Sequence, residues 1–147
     1  MTKTESAANR LTGIWRLVAF ELEDQASGER RPRFGTKPNG RLMLQDNGLM
    51  IAILTAEGRK VPKTDEDRVD AFNTVIAYSG RYRIDGDRLS TDVDMAWNEA
   101  WVGSAQVRSF RLVDSRVQLF SDWGPSPFDP GKTVRGILVW EREIGLG

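Results

Sequence analysis

The chain contains no histidine and no cysteine. Without histidine there is no Ser-His-Asp or Cys-His arrangement, no imidazole-liganded zinc and no ready general base for neutral pH. Without cysteine there is no disulfide frame and no thiolate zinc site. Charge of one sign is missing as well. The 21 Lys+Arg balance 21 Asp+Glu for a formal net charge of +0, so no overall field steers the chain to nucleic acid or to an anionic membrane. No apolar run is long enough to cross a bilayer, and the N-terminus lacks an apolar core of signal-peptide length. Nor is there a nucleotide-binding loop, so hydrolase, dehydrogenase and kinase chemistry are poor readings. The expectation is a cytoplasmic protein that needs no cofactor and no metal, with no nucleic-acid partner and no membrane partner. Self-association as a homodimer stays open.

What is present is enough for one core. The chain has 147 residues and 5 tryptophans, which suits a single domain with large flat surfaces in its core or pocket. Residues 1–10 are polar and unpatterned and are read as a flexible tail, leaving 11–147 as the domain. Leu11 to Leu22 reads as a strand with both faces partly apolar. A long loop from Gln25 to Asn39 comes next, and such loops in small domains usually form a lid or a mouth. Asn47-Gly48 between two apolar runs is the strongest hairpin signal in the chain. Thr64 to Asp67 resembles a capping box. Val69, Phe72 and Ile76 then recur at helical spacing, which predicts a helix over about 65–78 ended by Gly80.

Further hairpins are centred on Asp85-Gly86 and Asp114-Ser115, and the last strand spans Val134 to Arg142. Leu89, Thr91, Val93, Met95 and Trp97 alternate with Ser90, Asp92 and Asp94, as in a half-buried antiparallel strand. With about eight strands, mostly tight turns and no βαβ alternation, the fold class is all-β. An antiparallel up-and-down β-barrel with one α-helix capping an end uses such hairpins directly, with a sandwich as the second choice.

Within this plan the stretch from Trp101 to Leu112 carries the chemistry. Gln106, Arg108, Phe110 and Leu112 share one strand face, and an arginine on an inward face is costly without an acceptor. Arg108 is either a ligand anchor or half of a structural ion pair. As an anchor it would be joined by Gln106 and by the phenol of Tyr82, predicted inward with Ile84, to hold a carboxylate, enolate or ketone oxygen. Trp101 would form an aromatic rim, and Met95, Phe110, Phe72 and Ile76 would cover an apolar ligand body or be plain core. Trp97 is read as a plug. Asp92 and Asp94 face outward and are read as solvated rather than catalytic. The same holds for the loop cluster Arg30-Arg31-Pro32-Arg33.

The order of several short pieces resembles the bacterial and fungal lipocalin-like domain family. They are Gly13-Ile14-Trp15, Asn47-Gly48-Leu49-Met50, Tyr78-Ser79-Gly80-Arg81-Tyr82, Trp101-Val102-Gly103 with Gln106 to Phe110, and the closing Trp140-Glu141-Arg142. The resemblance spans Leu11 to Arg142 and implies a barrel large enough for a ligand. It also implies that Trp15 and Arg142 pair as first-strand tryptophan and last-strand arginine, closing the floor. Some similar domains accompany biosynthetic enzymes of secondary metabolism.

Three functions are compatible with these features. The first is a small-molecule-binding barrel holding an apolar or amphipathic ligand with a carboxylate or carbonyl group. The second is a cofactor-independent isomerase, cyclase or lyase using the same pocket, which would need a carboxylate or Tyr82 to move the proton. The third is an interaction protein whose barrel is packed solid.

Overall fold

The computed structural model describes residues 10–143; of the expected tail only Arg10 lies in that range. The strands are β1 (Gly13–Asp24), β2 (Arg30–Pro32), β3 (Asn39–Leu44), β4 (Leu49–Thr55), β5 (Val75–Asp85), β6 (Arg88–Ala96), β7 (Ala105–Val113), β8 (Arg116–Phe120), β9 (Gly124–Pro125) and β10 (Thr133–Arg142). Each long strand pairs antiparallel with the next, and β1 pairs with β10 to close an eight-stranded barrel; β2 and β9 are short additions on β1 and β10. Closure leaves few free edges, which explains how so many short strands persist without disulfides. Among the described residues no helix is long and apolar enough to cross a membrane.

The turns at Asn47-Gly48, Asp85-Gly86 and Asp114-Ser115 gather at one end, the floor, together with Trp15 and Arg142. Gly48 sits at φ +92° and Gly86 at +62°, backbone that glycine adopts without strain; Asp114 does so at φ 55°. The Arg142 guanidinium lies 4.3 Å from the Trp15 ring centroid and donates to the carbonyls of Thr12 and Arg10. Trp15 is 1% exposed and its indole donates to the Leu11 carbonyl at 2.9 Å. The expected floor pairing is therefore present.

Two bulges decide which side chains face inward. In β1 the register shifts between Leu17 and Ala19, with Val18 as the extra residue. A one-residue bulge exchanges the faces of the residues beyond it, so Trp15 and Leu17 precede it on the inside and Phe20 and Leu22 come after it there. This is why both faces of β1 read as partly apolar. In β6 the extra residue is Asp94: Val93 stands opposite Gly80, but Met95 stands opposite Ser79. Val93 is buried, and Met95 is turned outward at 63% exposed. The simple alternation read from the sequence stops at Asp94.

The helix α1 (Asp65–Asn73) begins as expected. Thr64 caps it, its hydroxyl accepting from the Asp67 N–H at 3.0 Å, and the Asp67 carboxylate accepts from the Thr64 N–H at 3.3 Å. It ends five residues earlier than the spacing predicts. Thr74 turns its hydroxyl back onto the Asp70 carbonyl at 2.7 Å, and the β-branched Val75 and Ile76 continue into β5. The predicted helical stripe therefore divides. Val69 and Phe72 stay on an exposed helix, and Ile76 becomes an inward strand residue.

Away from the floor, the long first loop folds over the barrel. Phe34 is 2% exposed and meets Phe20 edge to face at 5.2 Å. The Glu57 carboxylate holds the loop by accepting from the Thr36 N–H and hydroxyl and the Lys37 N–H. Gly35, at φ +82°, leaves room for that carboxylate: a Cβ there would lie 2.7 Å from Glu57 Oε1.

Candidate functional site

The barrel encloses a small cavity of about 50 Å³, room for a few waters at about 10–15 Å³ each on the same measure. Its walls are mostly apolar, with Leu42 from β3, Met50, Ala52 and Leu54 from β4, Leu89 from β6, Leu119 from β8 and Leu138 from β10. The polar groups on it come from Tyr78, Thr91, Gln106, Arg108 and Trp140. Among the described residues no carboxylate lines it.

Arg108 is half-buried in this setting. Its guanidinium donates from Nη1 to the Val107 carbonyl at 3.0 Å and from Nη2 to Gln106 Oε1 at 3.2 Å. Both acceptors are neutral, and among the described residues no carboxylate pairs with it. Gln106 is held in turn by donating to Ser104 Oγ at 3.1 Å, which fixes its carbonyl toward the arginine. A guanidinium facing an apolar cavity with neutral partners only retains its attraction for an anion.

The remaining polar groups are donors in search of acceptors. Burial raises the Tyr78 phenol above its ordinary value, while the Arg108 charge acts in the opposite sense. Among the described residues neither the Tyr78 nor the Thr91 hydroxyl has a hydrogen-bond partner. Trp140 is 1% exposed, and among the described residues its indole N–H has no partner. A buried unpaired donor costs about 1–3 kcal/mol and is rare in folded proteins.

At the rim opposite the floor, aromatic rings run outward from the cavity. Tyr78 and Trp101 lie 5.2 Å apart, Trp101 and Trp97 5.0 Å, and Trp97 and Phe72 6.0 Å between centroids. Trp97 donates from Nε1 to the Phe72 carbonyl at 3.1 Å, so it ties α1 to the barrel as a plug, whereas Trp101 lines the cavity.

Of the residues singled out from sequence, Arg108, Gln106, Trp101 and Ile76 come together on the cavity wall. Four are placed elsewhere. Tyr82 points into the barrel near the floor, where its hydroxyl donates to the Gln45 carbonyl at 2.6 Å. Phe110 packs against the core below the cavity. Met95 is turned out by the Asp94 bulge, and Phe72 is 46% exposed on α1. Tyr78, Thr91 and Trp140 were missed. Tyr78 falls inside the overextended helix, although it shares parity with Tyr82 and comes after two β-branched residues. Asp92 is paired with Arg83 at 2.9 Å on the exposed face and Asp94 is exposed, as solvated acids should be. The basic loop cluster is neutralised by Glu23 and Asp129 or lies on aromatic rings: Arg33 sits 4.7 Å from the Phe128 centroid. Among the described residues no group of three or more metal-ligating side chains is assembled.

The sequence matches the lipocalin-like domain family over residues 12–143. No curated protein matches it significantly. Among solved structures, the crystal structure of a lipocalin-like protein from Bacteroides uniformis ATCC 8492 is similar, at 14% identity and a TM-score of 0.49, covering 90% of this chain and 98% of that one. With nearly the whole barrel inside the matched span, the chain belongs to the lipocalin-like domain family.

Proposed function

We propose that the protein binds a small molecule in its barrel, with an acceptor oxygen of the ligand, a carboxylate or a carbonyl, meeting Arg108. The observation that carries this reading is the half-buried guanidinium with two neutral partners in an apolar cavity. Tyr78, Thr91 and Trp140 supply further donors around the same space, and Trp101 supplies an apolar face. The partner is a small molecule and needs neither nucleic acid nor membrane. The alternative of an isomerase, cyclase or lyase gains no support here, because among the described residues the cavity wall carries no carboxylate to abstract a proton.

The test is titration of benzoate into wild type, Arg108→Met and Arg108→Lys, monitored by tryptophan fluorescence beside thermal unfolding. Charged hydrogen bonds contribute about 1.5–3 kcal/mol, so Arg108→Met should weaken binding by about 10- to 150-fold. Its stability should change by less than about 1 kcal/mol, since two bonds to neutral groups are exchanged for apolar packing. Lysine should restore only part of the affinity, lacking the planar fork. Unchanged affinity in Arg108→Met would sink the reading.

A further inference from the structure

Resting on that reading, the structure says more about the ligand and its route. The enclosed space of about 50 Å³ takes a head group but not the body of an apolar ligand. The floor is shut by Trp15 under Arg142. Across from it, the sector over β1 and β4 is shut by Phe34, packed on Phe20 and hydrogen-bonded through its carbonyl to the Glu57 N–H.

One of the places where the ladder of the wall stops short lies beside Arg108. The β7–β8 ladder runs only from Ser109↔Phe120 to Val113↔Arg116. Beyond Phe120 the chain parts from β7 but stays on the β10 edge, through the Ser121 N–H donating to the Gly136 carbonyl and then as β9. Among the described residues, Ala105–Arg108 therefore has β6 on one side and no strand on the other. Partly exposed lining residues lie on this side as well as at the aromatic rim. The lining residues of β1, β3, β4, β6 and β8 are buried, whereas Gln106 and Arg108 of β7 and Leu138 of β10, like Ile76, Tyr78 and Trp101 at the aromatic rim, are partly exposed. Strand alternation turns the Val107 carbonyl toward the gap, and Arg108 spans from that carbonyl to the cavity.

We propose that the ligand is an amphipathic carboxylate that enters sideways through the gap between upper β7 and residues 121–125, which line the β10 edge. Its carboxylate exchanges with the neutral partners of Arg108 inside. Its apolar body stays in the opening, between Leu138 and Trp101. A carboxylate is favoured over a neutral carbonyl because among the described residues Arg108 has no counter-ion.

The absence of native thiols makes the route testable with single cysteines. Val107→Cys, beside the gap, and Lys37→Cys, exposed on the loop that carries Phe34, are each labelled with a bulky maleimide. Association of 1-pyrenebutyrate and of its methyl ester is monitored by stopped-flow fluorescence. The acid should bind at least tenfold tighter than the ester. The label at position 107 should slow its association at least tenfold relative to unlabelled Val107→Cys, and the label at 37 should leave it unchanged. Slowing from position 37, or from neither position, overturns the side route while the Arg108 reading stands. Equal binding of acid and ester overturns the carboxylate. Binding of neither probe to the unlabelled protein overturns this proposal and the function it rests on together.

Discussion

Two buried tryptophans on paired strands offer a direct measure of what an indole N–H contributes. Trp15 and Trp140 are both 1% exposed, but Trp15 donates to the Leu11 carbonyl at 2.9 Å and Trp140 donates to none of the described residues. Replacing either by Phe removes similar volume, so the void left behind is comparable. At position 15 the change also strands the Leu11 carbonyl, at about 1–3 kcal/mol, and gives Arg142 a weaker ring to lie on. At position 140 it removes an unpaired buried donor and returns about 1–3 kcal/mol of desolvation. Trp15→Phe should therefore cost about 2–6 kcal/mol more than Trp140→Phe. Urea titration by far-UV circular dichroism reads the difference directly, and the melting temperatures should differ on the order of 10 °C. Equal costs, or a larger cost at 140, would refute the assignment of a paired indole at the floor and an unpaired one at the cavity. Trp15→Ala should cost about 3–5 kcal/mol from the void alone.

Gly80 stands where β5 and β6 approach most closely, and a Cβ there would lie 1.9 Å from the Asp92 carbonyl oxygen. Gly80→Ala should destabilise by about 1–3 kcal/mol or prevent folding, whereas Gly124→Ala, with nothing within 4 Å, should be nearly neutral; similar denaturation midpoints would contradict this. Acid should loosen the end opposite the floor. Burial acts to raise the Glu23 carboxyl, but hydrogen bonds and charge from Arg30 and Arg135 bring it below its ordinary value. Backbone hydrogen bonds, from Ala26 and from Lys63 respectively, likewise lower Asp24 and Asp67. Groups lowered in the fold stabilise it above their unfolded values and lose that contribution as pH falls through the folded ones. Stability should therefore drop below about pH 4, and Glu23→Gln should flatten the urea-midpoint profile between pH 6 and 2.5.

The hairpins were legible because each turn announces itself in residue chemistry. Asn47-Gly48, Asp85-Gly86 and Asp114-Ser115 ask for backbone that few other pairs adopt, and the strands between them are then bounded. Thr64 and Asp67 likewise announce the start of α1 through a purely local contact. The bulges at Val18 and Asp94 were not legible, because nothing in either residue demands one; the closing geometry of the barrel does. That difference carries into the site. Arg108 and Gln106 lie on a strand without a bulge and were placed correctly, whereas Met95 lies just past one and was not. Tyr82 was assigned the right face but the wrong depth. Four residues of strand, about 13 Å, separate it from Tyr78, and position along a strand depends on where the partner turns fall.

The seam between β1 and β10 also sets the order of events when the chain folds. Arg16 and Glu141, paired at 2.9 Å across it, are separated by 125 residues. Every hairpin from β3 to β8 can form from neighbours in sequence, but the first strand cannot find its second edge until the last strand has been made. During synthesis β1 therefore waits with Trp15, Leu17 and Phe20 uncovered while the other strands assemble. Such distant closure slows folding relative to chains with local contacts. The polar outward face of the waiting strand, Arg16, Glu21 and Glu23, guards it during that interval against pairing with another copy.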